Sequence, residues 1–259
     1  MSTIQSTVSN GVMHVVFNRP ERKNSITSEM YTALSTLLNA AATDPQVKAL
    51  MLSGASGVFT AGNDLDDFIQ NRPENGQAPV FQFMKALAVF PKPLVAAVEG
   101  LAIGIGTTML LHCDLVYVAE DARFSLPFVN LGLVPEAASS LLLTRVAGHQ
   151  RAIEKLLLGD MFTANEAADL GFVNRVLPAA EVLYHASRQA ERLALLPAGS
   201  VRATKALVKG NTASRSVDEV TQRIEDEAAL FVQRVAGPAT LEAITAFKEK
   251  RKPNFDGKD

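Results

Sequence analysis

At 259 residues, 47% of them hydrophobic and 20% charged, the chain has enough apolar surface for a sizeable core, which excludes a small stapled scaffold and wholesale disorder. The 25 Lys and Arg against 27 Asp and Glu leave a net charge of -2, so no global field draws in nucleic acid or an anionic membrane, and any basic site must be local. Cys113 is the single cysteine, so neither an internal disulfide nor a cysteine-ligated structural zinc is expected.

The N-terminus has no basic start followed by an apolar stretch, so no signal peptide is expected and the cytoplasm is the default location. Asn10-Gly11 between alternating apolar runs predicts a hairpin whose second strand is Met13 to Phe17. Thr27 is placed to cap a helix from Ser28 to Ala42, and Asp44-Pro45 ends it. Ala49 to Ser53 and Leu94 to Val98 read as central strands, with helices at Asp66 to Gln70 and Val80 to Phe90 between them. Further strands are expected at Leu115 to Ala119, Arg123 to Leu126 and Val173 to Leu177, and helices at Ala138 to Val146, Gln150 to Leu158 and Ala164 to Leu170. Strands alternating with helices imply an α/β fold with a parallel sheet. From Pro178 the pattern turns helical, at Glu181 to Leu195, Ser200 to Lys209, Val217 to Ala236 and Ala239 to Lys250. This divides the chain into an α/β core over 1–197 and a C-terminal helical region over 198–259. The most apolar stretch, Leu94 to Val118, is broken by Glu99, His112, Asp114 and several glycines, so it reads as core rather than membrane span.

Several chemistries lack their motifs. There is no GxxxxGK[ST] loop, and Gly104-Ile-Gly106 is not followed by a third glycine at the nucleotide-fold spacing. The four histidines show no metal-ligand spacing, so no metal is expected. Ser139 and Ser140 are not in a GxSxG elbow and are expected to cap a helix.

Three ordered segments carry a resemblance: Phe59-Thr-Ala-Gly-Asn-Asp-Leu65; Pro93 to Gly106, with its Glu-Gly-Leu-Ala-Ile-Gly-Ile-Gly run; and His112-Cys-Asp-Leu-Val-Tyr117 running into Ala122-Arg-Phe-Ser125. Asn18-Arg-Pro20 with Lys23-Asn24, Thr163 to Val176 and the Ala246 to Lys252 tail continue it over nearly the whole chain. The sequence resembles the crotonase (enoyl-CoA hydratase/isomerase) superfamily. That resemblance implies a spiral of ββα units forming two roughly perpendicular sheets, a C-terminal helical trimerisation region, a homotrimer or dimer of trimers, and acyl-CoA thioester substrates. It implies no separate cofactor, since coenzyme A is part of the substrate; an RNA-binding member of the superfamily is a rival that the near-neutral charge argues against, and neither a nucleic-acid nor a membrane partner is expected.

By the same resemblance, the backbone N–H groups of Asn63 and Ile105 hold the thioester oxygen. Donors preorganised around an oxygen that gains charge on enolisation stabilise the transition state selectively. Gly62 and Gly104 would permit the close backbone approach, and Asp64 and Leu65 belong to the first donor loop. Arg22, Lys23, Lys248, Lys250 and Arg251 are candidate cations for the CoA phosphates, with Ala61 meeting CoA through its backbone. Phe68, Phe81, Met84 and Leu87 are candidate acyl-pocket residues.

At the positions of the two hydratase glutamates this chain has Thr108 and Phe128, neither of which is a carboxylate base. Phe128 would also keep water from the reacting carbons. A carboxylate follows in Gly132-Leu-Val-Pro-Glu-Ala-Ala-Ser-Ser140, similar to that of Δ3,Δ2-enoyl-CoA isomerases, where Glu136 stands at the position of the catalytic glutamate. The residues alone leave Glu136 open between a helix N-terminal acid and a proton shuttle; the resemblance assigns the shuttle. Burial among Phe128, Leu131, Leu133 and Val134 would raise its pKa. Hydration through another base, isomerisation of a ring-derived CoA ester, and non-catalytic acyl-CoA binding remain as alternatives.

Overall fold

A computed structural model describes residues 2–210 and 218–258. The predicted hairpin is present: β1 (Ile4–Ser9) and β2 (Val12–Phe17) run antiparallel, joined by Asn10 and Gly11 at φ 52° and 76°. Left-handed backbone at both turn positions matches the right-handed twist of the flanking strands. Thr27 caps α1 (Ser28–Thr43) by accepting the Met30 N–H, and the helix buries Met30, Tyr31, Leu34 and Leu38.

β3 (Ala49–Gly54) pairs in parallel with β2, and α2 (Leu65–Gln70) and α3 (Pro79–Val89) lead to β4 (Leu94–Val98). β5 (Leu101–Ile103) runs into α4 (Ile105–Thr108); β6 (Leu115–Ala119) and β7 (Arg123–Ser125) follow. α5 (Ser139–Ala147), α6 (His149–Leu158), β8 (Phe162–Thr163), α7 (Ala164–Asp169) and β9 (Arg175–Leu177) complete the strand-bearing part. α8 (Ala179–Ala194), α9 (Ala198–Val208), α10 (Asp218–Val235) and α11 (Pro238–Lys248) are the last four helices. The expected helix start at Val217 lies outside the described residues.

The strands form two sheets. One has the order β1-β2-β3-β4-β6-β9, parallel except at its β1 edge; the other has the order β5-β7-β8. The residues of β4 are buried along their whole length, as a parallel strand covered on both faces requires. α8 packs on β3, β4 and β6, while α10 packs on α3, α5 and α11. β5 and β8, of three and two residues, are too short for a periodic signal and were not anticipated.

The loop after β2 is anchored by Asn24, which is fully buried at φ 56°. Its Nδ2 donates to the Ala55 and Val58 carbonyls, and its Oδ1 accepts the Arg19 N–H at 2.8 Å. Asn tolerates the left-handed region better than other non-glycine residues. Replacing Asn24 by Ala removes three hydrogen bonds and takes their partner from the Arg19 N–H and the Val58 carbonyl, which should destabilise the protein by about 2–4 kcal/mol. Urea unfolding of Asn24→Ala measures this, and an unchanged midpoint would show that the anchor contributes nothing.

Candidate active site

Two backbone segments meet at the site. Thr60 shapes the first: its hydroxyl donates to the Asn24 carbonyl at 2.7 Å and accepts the Gly62 N–H at 3.1 Å. Gly62 stands at φ +86°, and a Cβ there would lie 2.5 Å from the Ile103 carbonyl oxygen, so this approach requires glycine. Gly106 closes on Thr60 in the same way, since its Cβ would fall 2.7 Å from Thr60 Cγ2. These contacts set the Gly62-Asn63 loop against the turn from β5 into α4.

Both segments leave an amide unpaired. Ile26 donates to the Gly62 carbonyl at 2.8 Å and Asp64 to the Ile26 carbonyl at 2.9 Å, so the Asn63 N–H between them has no acceptor among the described residues. Gly104, at φ +55°, donates to Ser125 and accepts from Thr107 and Thr108, leaving Ile105 as the first amide of α4, also without an acceptor. The Ile105 side chain is fully buried, so its contribution is its backbone. The backbone N–H groups of Asn63 and Ile105 are therefore both uncommitted among the described residues.

A cavity of about 480 Å³ adjoins them, lined by Gly62, Asn63, Gly104, Phe128, Leu133 and Glu136 among others. Glu136 is 2% exposed and neither carboxyl oxygen has a hydrogen-bond partner among the described residues. Burial, and then the nearby Glu227 carboxylate, push its pKa up to about 8. The Tyr31 hydroxyl donates to Asn63 Oδ1, and burial together with the Glu136 charge raises it well above the ordinary phenol value. The arrangement offers an enclosed acid/base group beside two oxygen-directed donors.

The backbone after Glu136 is strained. Ala137 and Ala138 both occupy the left-handed region, at φ 58° and 55°, which costs roughly 1–2 kcal/mol for each non-glycine residue. The expectation that Ser139 and Ser140 cap α5 is corrected here: the cap position is Ala138, with no side-chain cap of its own, and the Ala138 and Ser140 amides are taken by Glu227 of α10. Left-handed backbone at 138 turns the following serines into the helix, and the Ser139 hydroxyl is buried without a partner.

Phe128 lines the cavity, and Thr108, fully buried with an unpartnered hydroxyl, supplies no carboxylate. Asp64 is 4% exposed and spends its carboxylate inside the protein: it caps α2 through the Asp66 and Asp67 amides and pairs with Arg19 at 2.7 Å. Burial alone would raise it, but the Asp67 N–H and Arg19 hold it down at about 2.

Arg22, Lys23, Ala61, Leu65 and Lys248 line an adjoining cleft of about 380 Å³. Asp66 bridges two of these cations, meeting Arg22 at 2.5 Å and Lys248 at 2.9 Å. Lys250 is exposed at φ 53° and lines neither cavity, whereas Arg251 lines the larger one while paired with Glu242 and Glu249.

The acyl-pocket expectation is corrected as well. Phe68 and Phe81 stand behind the wall, edge-to-face against Phe231 at 5.9 and 6.0 Å, and Met84 and Leu87 are core residues outside the cavity lining. Phe231 of α10 lines the cavity, with Ala243 and Phe247 of α11. Sequence reasoning missed these three and Tyr31 because each reads locally as one more apolar residue on an amphipathic helix.

A carboxyl held near pKa 8 in the folded protein and near 4.5 in the unfolded chain keeps its proton preferentially when folded. Stability therefore falls as pH rises between these values and stays reduced above them. Glu136→Gln, neutral at every pH, should melt several degrees above the wild type at pH 9 and alongside it at pH 5. Parallel melting curves at both pH values would show that Glu136 is not held as a protonated acid.

The sequence profile of the enoyl-CoA hydratase/isomerase family matches residues 7–258. The chain is 35% identical to the 1,2-epoxyphenylacetyl-CoA isomerase of Escherichia coli, over 100% of both chains. It is 34% identical to enoyl-CoA delta isomerase 2 of Rattus norvegicus, over 95% of this chain and 63% of that one. It superposes with a TM-score of 0.91 on an enoyl-CoA hydratase/isomerase structure from Pseudoalteromonas atlantica, at 40% identity and covering 98% of this chain and 100% of that one. With a profile that spans the described fold from β1 to the C-terminal tail, the chain belongs to the enoyl-CoA hydratase/isomerase family of the crotonase superfamily and is an enzyme of that family.

Proposed function

We propose that the protein is an enoyl-CoA isomerase that moves a double bond from C3 to C2 of an acyl-CoA thioester. The observation that carries this reading is the unpartnered, buried Glu136 carboxyl in a cavity beside two uncommitted amides, with Phe128 and Thr108 where a hydratase of the family carries its glutamates. The reaction needs a proton taken from C2 and one returned at C4, with no net change in composition, so one carboxylate that reaches both carbons suffices.

The thioester oxygen sits against the Asn63 and Ile105 N–H groups. As Glu136 removes the C2 proton, negative charge spreads from the carbonyl oxygen through the conjugated carbons, and the two donors stabilise it where it is greatest. The same carboxyl, now protonated, delivers the proton to C4 and is regenerated. Phe128, Leu131 and Leu133 line the reacting space with apolar surface and keep water from the intermediate. Coenzyme A enters as part of the substrate, its phosphates meeting Arg22, Lys23 and Lys248, and no other cofactor takes part.

The similarity to the E. coli 1,2-epoxyphenylacetyl-CoA isomerase over the full length favours a second reading, in which the isomerised ester is ring-derived. We place the enzyme in a homotrimer or dimer of trimers in the cytoplasm. Leu195, Leu207 and Val208, exposed on and before α9, are surface that such an assembly would cover.

Trans-3-hexenoyl-CoA should gain the ultraviolet absorbance of a conjugated thioester with no change in mass, and Glu136→Gln should bind it while losing nearly all turnover. A product heavier by one water, formed from trans-2-hexenoyl-CoA and surviving in Glu136→Gln, would instead establish a hydratase; turnover confined to ring-derived esters would select the second reading.

Gly62→Ala should lower isomerase turnover by about 100- to 1,000-fold, the usual cost of a lost backbone donor. The added Cβ cannot coexist with Ile103 at the present spacing, so turnover within about tenfold of wild type would remove this loop from the site.

A further inference from the structure

The Glu136 carboxyl has no hydrogen-bond partner among the described residues, so its direction is set by the backbone that carries it. That backbone is held from two sides of the sequence. His112, from the turn after α4, meets the Ala137 carbonyl at 2.8 Å; because a carbonyl only accepts, Nε2 carries the proton, and burial with help from Lys209 keeps the ring neutral by lowering its pKa to about 4. Glu227 reaches in from α10, 89 residues after Ala138. Its Oε2 accepts the Ala138 N–H at 2.6 Å, while Oε1 accepts the Ser140 N–H at 3.1 Å and the Ser140 hydroxyl at 2.5 Å.

Helix caps normally come from the residue preceding the helix, at the surface and at little cost. Here that residue is Ala138, and the function passes to a carboxylate 6% exposed on another helix. Burying a carboxylate is expensive unless its oxygens are well satisfied. The expense falls at the single turn that follows Glu136.

We propose that Glu227 is a positioning residue: by binding the Ala138 and Ser140 amides it fixes the left-handed turn after Glu136 and aims the Glu136 carboxyl into the cavity. This rests on Glu136 being the proton shuttle. Arg223, one turn earlier on α10, donates to the Ser140 hydroxyl at 3.2 Å and partly offsets the Glu227 charge. Tyr31 of α1 and the neutral His112 are the other titratable groups facing the pair. Burial raises the Glu227 pKa above the ordinary carboxylate value, and the Ser140 and Ala138 donors on its oxygens limit that rise. When Glu227 is ionised, its charge makes a second negative charge at Glu136 harder to form, so the shuttle holds its proton to higher pH.

The test compares Glu227→Gln, Glu227→Asp and Glu136→Gln for kcat and KM across pH with trans-3-hexenoyl-CoA. Binding of saturated hexanoyl-CoA and the thermal transition are followed beside each variant. In Glu227→Gln, kcat should fall about 10- to 100-fold, because small misplacements of a reacting group are costly. KM should stay within about threefold, and the rising limb of kcat against pH should move to lower pH, since Glu136 ionises more easily without its neighbour.

Glu227→Asp keeps the charge but withdraws it by one methylene, so kcat should fall without that downward displacement. An unchanged kcat and pH limb in Glu227→Gln overturns the proposal, as does a loss of turnover matched by an equal loss of hexanoyl-CoA binding with the limb unmoved. Should Glu227→Gln not fold, wild-type turnover in Glu227→Asp overturns it. Wild-type turnover in Glu136→Gln would mean that the reading of Glu136 itself fails, whereas an inactive Glu136→Gln beside an unaltered Glu227→Gln removes Glu227 alone.

Discussion

The absence of a side chain at Gly62 governs the site. Without a Cβ the first donor loop can lie against the Ile103 carbonyl, and this contact brings an amide after β3 and an amide at the start of α4 to one cavity. Neither amide is free by accident. Asn63 lies between Gly62 and Asp64, both bound to Ile26, and Ile105 follows Gly104, which is bound to Ser125. The backbone that builds the two sheets thus leaves its unpaired donors where charge has to be stabilised.

Glu136 illustrates the opposite use of burial. Most buried polar groups in a protein are hydrogen-bonded, and the Asn24 and Lys92 side chains here follow that rule, with Lys92 bound to the Ala41 and Asp44 carbonyls. Glu136 breaks it, and the two alanines after it carry strain of another kind, in their left-handed backbone. Strain and desolvation concentrate on three consecutive residues, a concentration that packing elsewhere in the fold has to support. A carboxylate that, once ionised, holds a proton more strongly than one in water is the chemical return on that instability.

How much of this was legible in the sequence depended on the range of the interactions. The hairpin at Asn10-Gly11, the Thr27 cap and the β4 strand were readable because turn chemistry, capping and apolar runs are local. The two candidate amides and Glu136 were readable only through resemblance, since Gly62 looks like an ordinary turn glycine until its approach to the Ile103 carbonyl is seen. Phe231, Tyr31 and Glu227 were not readable at all: each sits on an amphipathic helix in a place any core residue could occupy, and only tertiary packing separates them from their neighbours. The Ser139-Ser140 cap failed for the same reason, because a residue on α10 supplied what local pattern assigned to the serines. The acyl-pocket candidates were sought on α2 and α3, whereas the helical residues that line the cavity lie on α10 and α11 and carry no local mark of it.

The order of the elements along the chain has a consequence for biosynthesis. The sheets, both amides and Glu136 all precede residue 178, while Phe231, Ala243 and the carboxylate that fastens the turn come from the last two helices. A nascent chain emerging N-terminus first lacks the partners of its strained turn until the final helices are made. In that interval Glu136 has no enclosing wall, and an acid in water keeps its ordinary proton affinity. The reactive group therefore acquires its special chemistry only when α10 docks and the enclosure is complete.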